Sequence, residues 1–366
     1  MRDIRIGPVH FFSLVLMFEL GTALVVNVGM EAGRDAWIAI FLGCLVGMLI
    51  YTGYNYLFKL YPDLPLSGYA RAILGKPLGA VVVTLYAVIF LNGAGRDMRD
   101  GSALLVMAAL NRTPIMIVAA MMILSCGYVL HKGLEVLART SFIIMIFVLM
   151  IGGVITLLML FSGEMEWSRI LPMLGDGIKP VALSVIRSNY MFPFGEVFCF
   201  LMLMPYIGDK KRAVWIVPSA ILAAGLIISY TALVNITVLG SDMVERSPFP
   251  LLSTVSKAAL SDFIQRLDVL VVMLLIIGVF FKVAVYYGAA VIAISDLFNL
   301  PYRTLIIPSA IIILFSGMLD SRSFVEHLEE GGEMLTFVYP VFTIVIPAIL
   351  IIVAAFRNYR SRSRPG

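Results

Sequence analysis

Charge is scarce in this chain. Asp, Glu, Lys and Arg make up 14% of its 366 residues, against 61% hydrophobic, where soluble domains run at about 25% charged. That deficit excludes a soluble globular protein. The period-two alternation of a membrane barrel is also missing, because the apolar runs are continuous over about 20 residues, the length of a helical span. Cysteine and histidine are rare, with three of each. Cys44, Cys126 and Cys199 stand alone in apolar runs, without metal-ligand spacing, and their odd number argues against a complete disulfide set. They read as packing residues. His10, His131 and His327 are scattered. There is no nucleophile–base constellation, phosphate loop or zinc motif, so the chain is not expected to be an enzyme, to hold a metal or cofactor, or to bind nucleic acid.

What remains is a helical membrane protein of one polytopic domain. Arg2 and Arg5 precede an apolar run as in a signal peptide, but Glu19 interrupts the run and no convincing small-residue cleavage site follows, so this stretch reads as a retained first span. Ten spans are expected, at 9–30, 36–58, 78–95, 114–130, 137–161, 181–207, 213–239, 269–297, 305–319 and 336–356. With the N-terminus inside, the inner segments hold nearly twice as many Lys and Arg as the outer ones. Most of the bias comes from Lys210, Lys211 and Arg212 and from the tail arginines Arg357, Arg360, Arg362 and Arg364. Both termini are therefore expected in the cytoplasm. The outer connections are acid-rich, as at Glu326, Glu329, Glu330 and Glu333. The tail is expected either to touch anionic lipid heads or to serve as a plain positive-inside anchor.

The sixth span departs most from a plain helix. Within Ser188–Cys199 it carries Pro193, Gly195 and Glu196. Proline removes a backbone donor and clashes with the preceding turn, glycine weakens the helix further, and a carboxylate sits where charge is most costly. In lipid, a broken helix survives only where it is buried in protein or lines a cavity, and such breaks point to a transporter-type binding site. A kink with a snorkelling Glu is the alternative. Span one has Gly21, Thr22, Asn27 and Gly29 in its middle and outer half, which suits either close packing or an unwound stretch. Spans one and six head two groups of five, and interruptions at matching positions are the pattern of an inverted repeat. The repeats are expected at about 9–161 and 181–319, with a final helix at about 336–356.

Two connections read as short interfacial helices. One is Leu64–Leu74 on the inner side. The other is Pro250–Ile264 on the outer side, with Leu251, Leu252, Val255, Ala259 and Phe263 on one face. After span three, Arg96 and Asp100 are four apart and suited to pair on a helix face. A helix running on to Leu110 exceeds a bilayer thickness, so it is expected either to tilt strongly or, as the default, to project a solvated end outward.

At Ala32-Gly-Arg-Asp-Ala-Trp37, just after a Gly-Thr-containing first span, the chain resembles the spore germination permease family, the B subunits of germinant receptors in spore-forming bacteria. The resemblance continues through Lys132-Gly-Leu-Glu-Val-Leu-Ala-Arg139, Leu171-Pro172 and Phe192-Pro-Phe-Gly-Glu196, and it covers essentially the whole chain. The family is similar to the amino acid–polyamine–organocation transporters. It implies a five-plus-five inverted repeat with discontinuous helices one and six, and a membrane subunit that senses a small nutrient, typically an amino acid. It also implies A and C subunits as partners in the spore inner membrane. One departure is that 24–29 has no proline where the family leads one to expect it. The topology is expected to expose the Asp35-Ala-Trp37 turn, either for partner contact or with Trp37 as an interface anchor. An amino acid permease or proton symporter is the alternative function, and a water or ion conduit a third.

The ligand site follows as an expectation. A ligand carboxylate favours backbone N–H groups at a half-helix N-terminus, for which Gly21 and Thr22 are the candidates. Tyr190, Phe194 and Gly195 are expected to form the side-chain pocket, with Tyr86 opposite. Glu196, buried without a partner, is expected to be protonated and to act as a neutral donor or a proton-linked switch. Lys282 lies near mid-membrane and must point at acceptors. The resemblance places its span beside span one, where related transporters hold a cation. Its ammonium is expected either to replace that cation, bonding span-one carbonyls near Gly21, or to pair with a carboxylate such as Glu19.

Overall fold

The computed structural model describes residues 5–258, 267–319, 321 and 323–362. Arg2, Arg364 and the Ala259 and Phe263 end of the second interfacial helix lie outside the described residues, as do the side chains of Arg360 and Arg362. The described chain is helical. Among the described residues, eight helices are long and apolar enough to cross a membrane, at Met30–Leu60, Lys76–Ala108, Ile115–Lys132, Leu134–Phe161, Lys210–Leu239, Asp268–Phe298, Tyr302–Leu319 and Phe324–Arg357. The other two expected spans are the interrupted ones.

Span one is α1 (Pro8–Leu20), which stops at Gly21. A 3-10 turn follows at Thr22–Leu24, then irregular chain, then a 3-10 segment Met30–Asp35 leading into α2 (Ala36–Leu60). The small interfacial helix is α3 (Leu66–Leu74). Next come α4 (Lys76–Ala108), α5 (Ile115–Lys132) and α6 (Leu134–Phe161). A single residue, Gly133, separates α5 from α6. Its φ of 120° is a conformation open to glycine and strained in other residues, which accounts for the glycine in that otherwise helix-favouring run.

Span six is α7 (Ile178–Ser184), a π-helical turn at Val185–Asn189, a break at 190–193, and 3-10 segments Phe194–Met202 and Met204–Tyr206. This irregular backbone is pressed against α2, where two glycines make room. A Cβ at Gly43 would meet the Asn189 carbonyl oxygen at 2.7 Å, and one at Gly47 would collide with Phe194. Small residues one turn apart let helix backbones approach closely in membranes. α8 (Lys210–Leu239), α9 (Ser241–Arg246) and α10 (Pro250–Ala258) follow, then α11 (Leu267–Phe298) and α12 (Tyr302–Leu319). α11 is the central helix and packs along α4, α1 and α12.

The last span differs from its expected start at residue 336. It begins with α13 (Phe324–Glu333), passes through π-helical stretches at Met334–Val338 and Val341–Val345 around Pro340, and ends in α14 (Ile346–Arg362). Its acid-rich first turns resemble a loop in composition, but the Ser323 hydroxyl caps the helix by accepting from the Glu326 N–H at 3.1 Å.

The first and last described segments gather on one face of the bundle. Ile6 exchanges backbone bonds with Tyr206 and Gly208, and Arg357 donates to the Ala72 carbonyl at the end of α3. We call this the terminal face. The far face carries α9, α10, α13 and the chain between α6 and α7.

Two expectations on the far face are corrected. The charged stretch of α4 is not solvated; only the last residues of the helix and those just after it, 107–110, are exposed. Residues 93–104 of α4 are buried, Asn92 being the last half-exposed position before them, because each charge meets a neighbouring element. Arg99 donates to the Gly317 carbonyl at 3.1 Å, Asp100 is 3.0 Å from His327 Nε2, and Arg96 donates to the His327 carbonyl. The Asp35 turn is not exposed either. Asp35 is 3% exposed, and its carboxylate accepts from the Leu174 N–H at 3.1 Å. Arg34 donates to the Leu171 carbonyl at 3.2 Å. The Ala-Gly-Arg-Asp-Ala-Trp run thus clamps the Leu171–Leu174 loop, joining two pieces of sequence 135 or more residues apart.

Candidate ligand site

The two interrupted spans meet around Lys282 of α11, which is fully buried. Its ammonium donates to Glu196 Oε2 in span six, lies 3.9 Å from Asp97 Oδ1 of α4, and sits over the rings of Phe192 at 4.4 Å and Phe18 at 5.3 Å. Tyr286, one turn along α11, donates to Glu196 Oε1 at 2.9 Å. Thr22, just past the end of α1, donates to Asp97 Oδ1 at 2.9 Å. Four elements therefore contribute to one charge cluster. Close backbone approach makes this possible. A Cβ at Gly278 would lie 3.2 Å from the Gly21 Cα, and a Cβ at Gly21 would lie 2.8 Å from Lys282 Cβ.

The ammonium is not bonded to carbonyls of span one. It chooses Glu196, since an ionised carboxylate is the stronger acceptor. Glu196 in turn is not without partners, as burial alone suggested, but holds both Lys282 and Tyr286. Glu19 interacts electrostatically with Lys282, yet it is fully buried and neither of its carboxyl oxygens has a hydrogen-bond partner among the described residues. Asp97 Oδ2 likewise has none.

A cavity of about 440 Å³ runs from this cluster to the far face. Asp97 and Glu196, 6% and 4% exposed, line its floor. Asn27 and Gly29 from the unwound part of span one, Asn189 from the π-helical turn just before the break in span six and Tyr339 from the last span form its walls, and exposed Glu245 and Arg246 stand at its rim. A larger hollow of about 920 Å³ lies on the terminal face between the α5–α6 and α11–α12 turns, away from the charge cluster.

The expected site residues divide into two groups. Glu19, Gly21, Thr22, Glu196 and Lys282 are brought together, with Glu196 alone among them lining the cavity. Tyr86, Phe194, Gly195 and Tyr190 do not line it. Tyr86 is fully buried, donates to the Phe342 carbonyl at 2.6 Å and packs on Phe198 and Phe90. Phe194 is buried against Gly47, Gly195 lies beside Met191, and Tyr190 is half-buried in the break. Asp97 and Tyr286 were missed. Each carried a spacing signal: Tyr286 is four residues from Lys282, and Asp97 shares a helix face with Tyr86, Phe90 and Gly93.

A family model described as "Spore germination protein" matches residues 5–325. The chain belongs to the spore germination protein family. Spore germination protein KB of Bacillus subtilis (strain 168) is similar to it over the full length, 35% identical across 100% of this chain and 99% of that protein. The fold of this family member is that of inverted-repeat transporters. It matches Mhp1, a nucleobase-cation-symport-1 family transporter solved in a closed conformation with bromovinylhydantoin bound, with a TM-score of 0.73 at 14% identity over 96% of this chain and 78% of Mhp1. It also matches MhsT in complex with L-phenylalanine, with a TM-score of 0.71 at 14% identity over 94% of this chain and 89% of MhsT. In this member of the family, the five-plus-five architecture with interrupted helices one and six places the charge cluster and the cavity where the two breaks meet.

Proposed function

We propose that this protein is a germinant-receptor subunit built on a transporter fold, and that it binds a small nutrient of about amino acid size in the far-face cavity. The observation that carries the reading is the cavity itself. It is bounded by the breaks of spans one and six, where backbone polar groups are freed from helical bonding, and its volume suits a small polar solute. The solved relative with L-phenylalanine bound supports a ligand of that size. In this reading the far face looks outward, both termini are cytoplasmic, the membrane is the spore inner membrane, and the partners are A and C subunits. Repeat one spans about 9–161 and repeat two about 181–319.

Gly332 supplies the test. It lines the cavity, and a Cβ there meets nothing within 4 Å, so Gly332→Trp fills the space without a clash at the backbone. Purified protein in lipid nanodiscs is expected to gain thermal stability with a nutrient drawn from a panel of amino acids, sugars and nucleosides. The Trp variant is expected to lose that gain while unfolding normally on its own. A plugged protein that still responds to the same nutrient rules out the cavity as the site.

A proton-coupled symporter is the second reading, favoured by one observation: the buried Glu19 carboxyl, without a hydrogen-bond partner among the described residues and within electrostatic reach of Lys282, has the surroundings of a proton-carrying group. Uptake of the stabilising nutrient into proteoliposomes, driven by a pH gradient, distinguishes transport from sensing.

A further inference from the structure

The floor of the cavity states which chemical group a ligand must bring. Its acceptors and donors can be followed one by one. Glu196 is engaged on both oxygens, by Lys282 and Tyr286. Asp100 is engaged by His327. Arg96 is held by the His327 carbonyl and lies 3.9 Å from Glu330. Asp97 differs. Oδ1 takes the Thr22 hydroxyl, and Oδ2 has no hydrogen-bond partner among the described residues, in a residue that is 6% exposed. Lys282 does not supply it, because the ammonium's hydrogen bond goes to Glu196 and its 3.9 Å approach to Asp97 is to Oδ1, the oxygen that takes the Thr22 hydroxyl. A buried carboxylate oxygen without a donor is costly to keep. The one ammonium in the cluster faces Asp97, Glu196 and Glu19 together. The group that would complete the site is a donor, and one of positive charge. Phe192 lines the same cavity and already presents its ring to a cation, Lys282.

We infer that Asp97 is the anchor for a protonated amine on the ligand. This rests on the cavity being the nutrient site, and it narrows that reading: the ligand is an amine-bearing compound, and its uncharged or hydroxyl counterparts are discriminated against. A hydroxyl replacing the ammonium gives up the charge-assisted bond and leaves carboxylate charge uncompensated at a buried residue.

Matched pairs of probes test this on the full chain in nanodiscs. L-alanine is compared with L-lactate, L-leucine with its α-hydroxy acid, and L-phenylalanine with L-3-phenyllactate, with D-glucose as an uncharged probe. Binding is read by calorimetry. The expected result is that at least one amine binds and its hydroxy partner binds at least tenfold more weakly. Asp97→Asn, which keeps shape and size, is expected to abolish that preference. Glu166→Gln, in the chain between α6 and α7 and outside the cavity lining, is expected to retain it. A second measurement needs no variant: in the wild-type protein, the bound amine is expected to shield Asp97 from labelling by a hydrophobic carbodiimide at least fivefold, located by mass spectrometry, and the hydroxy acid is not. Equal binding of a hydroxy acid or of D-glucose, a folded Asp97→Asn that keeps the preference, or unshielded Asp97 under a saturating amine each overturns the inference while leaving the cavity as a nutrient site. Binding by no probe in the wild type overturns both.

Discussion

Replacing Lys282 by methionine removes one charge from the centre of the bundle and keeps most of the side-chain volume. In the wild type the ammonium holds Glu196 by a charge-assisted bond and lies 3.9 Å from Asp97. At an effective dielectric of about 20, a pair at that distance interacts by roughly 4 kcal/mol before desolvation is subtracted. Breaking a buried pair by removing one partner costs about 3–5 kcal/mol, since the surviving charge is left uncompensated. Lys282→Met is therefore expected to lose about that much stability. Glu196→Gln in the same chain is expected to return about 2 kcal/mol, because a neutral amide still accepts from Tyr286 and no stranded carboxylate remains there. The assay is a double-variant cycle of unfolding by SDS titration in mixed micelles, followed by the fluorescence of Trp37, Trp167 and Trp215. If the two single losses add to within about 0.5 kcal/mol of the double, Lys282 and Glu196 are not coupled, and the description of the cluster as an ion pair is wrong.

Asp35→Ala leaves the Leu174 N–H without its carboxylate acceptor. It is expected to cost about 1.5–3 kcal/mol, as for a bond to a charged group, and to speed proteolysis in the chain between α6 and α7. An unchanged cleavage rate there refutes the clamp. Gly47→Leu drives a side chain into Phe194 and is expected to abolish monodisperse purification. Gly152→Ala, where a Cβ meets nothing within 4 Å, is expected to change stability by no more than about 1 kcal/mol in the favourable direction. Equal yields of the two glycine variants count against the close packing of span six on α2. Thr22→Val removes the hydroxyl that bonds Asp97 and is expected to cost about 1 kcal/mol in the same SDS titration. A loss indistinguishable from zero means that bond does not hold span one to α4.

Much of the fold was legible because a membrane imposes simple rules on sequence. An apolar run of about 20 residues reads as a span wherever it occurs, and a proline, a glycine and a glutamate inside one span are costly enough in lipid to mark a break. The start of the last span was less legible. Glu326, Glu329, Glu330 and Glu333 resemble a loop when read alone, and they are helical because α13 packs over the charged end of α4. The charged end of α4 was misread for the same reason. Arg96, Asp97, Arg99 and Asp100 look like a solvated stretch until the partners from α12 and α13 are in place. Within the site, Glu19, Glu196 and Lys282 stood out one by one because each is a charge deep in an apolar run. Which carboxylate took the lysine, and that Asp97 belonged with them, did not.

The sequence by itself determined that this chain is a helical membrane protein, that spans one and six are interrupted, and that the burial of a few ionisable groups calls for a reason. These are local properties, set by the cost of moving polar groups into lipid. The tertiary structure alone decided who pairs with whom. Lys282, Glu196, Asp97 and Thr22 lie 75 or more residues apart where they touch, and no residue's own neighbourhood encodes which helix will face it. The aromatics of span six showed the same limit. Phe194 was a reasonable pocket wall in sequence, but Gly47 on α2 left the space that Phe194 fills. Packing therefore gave the cavity to Asp97 and Asn189 instead.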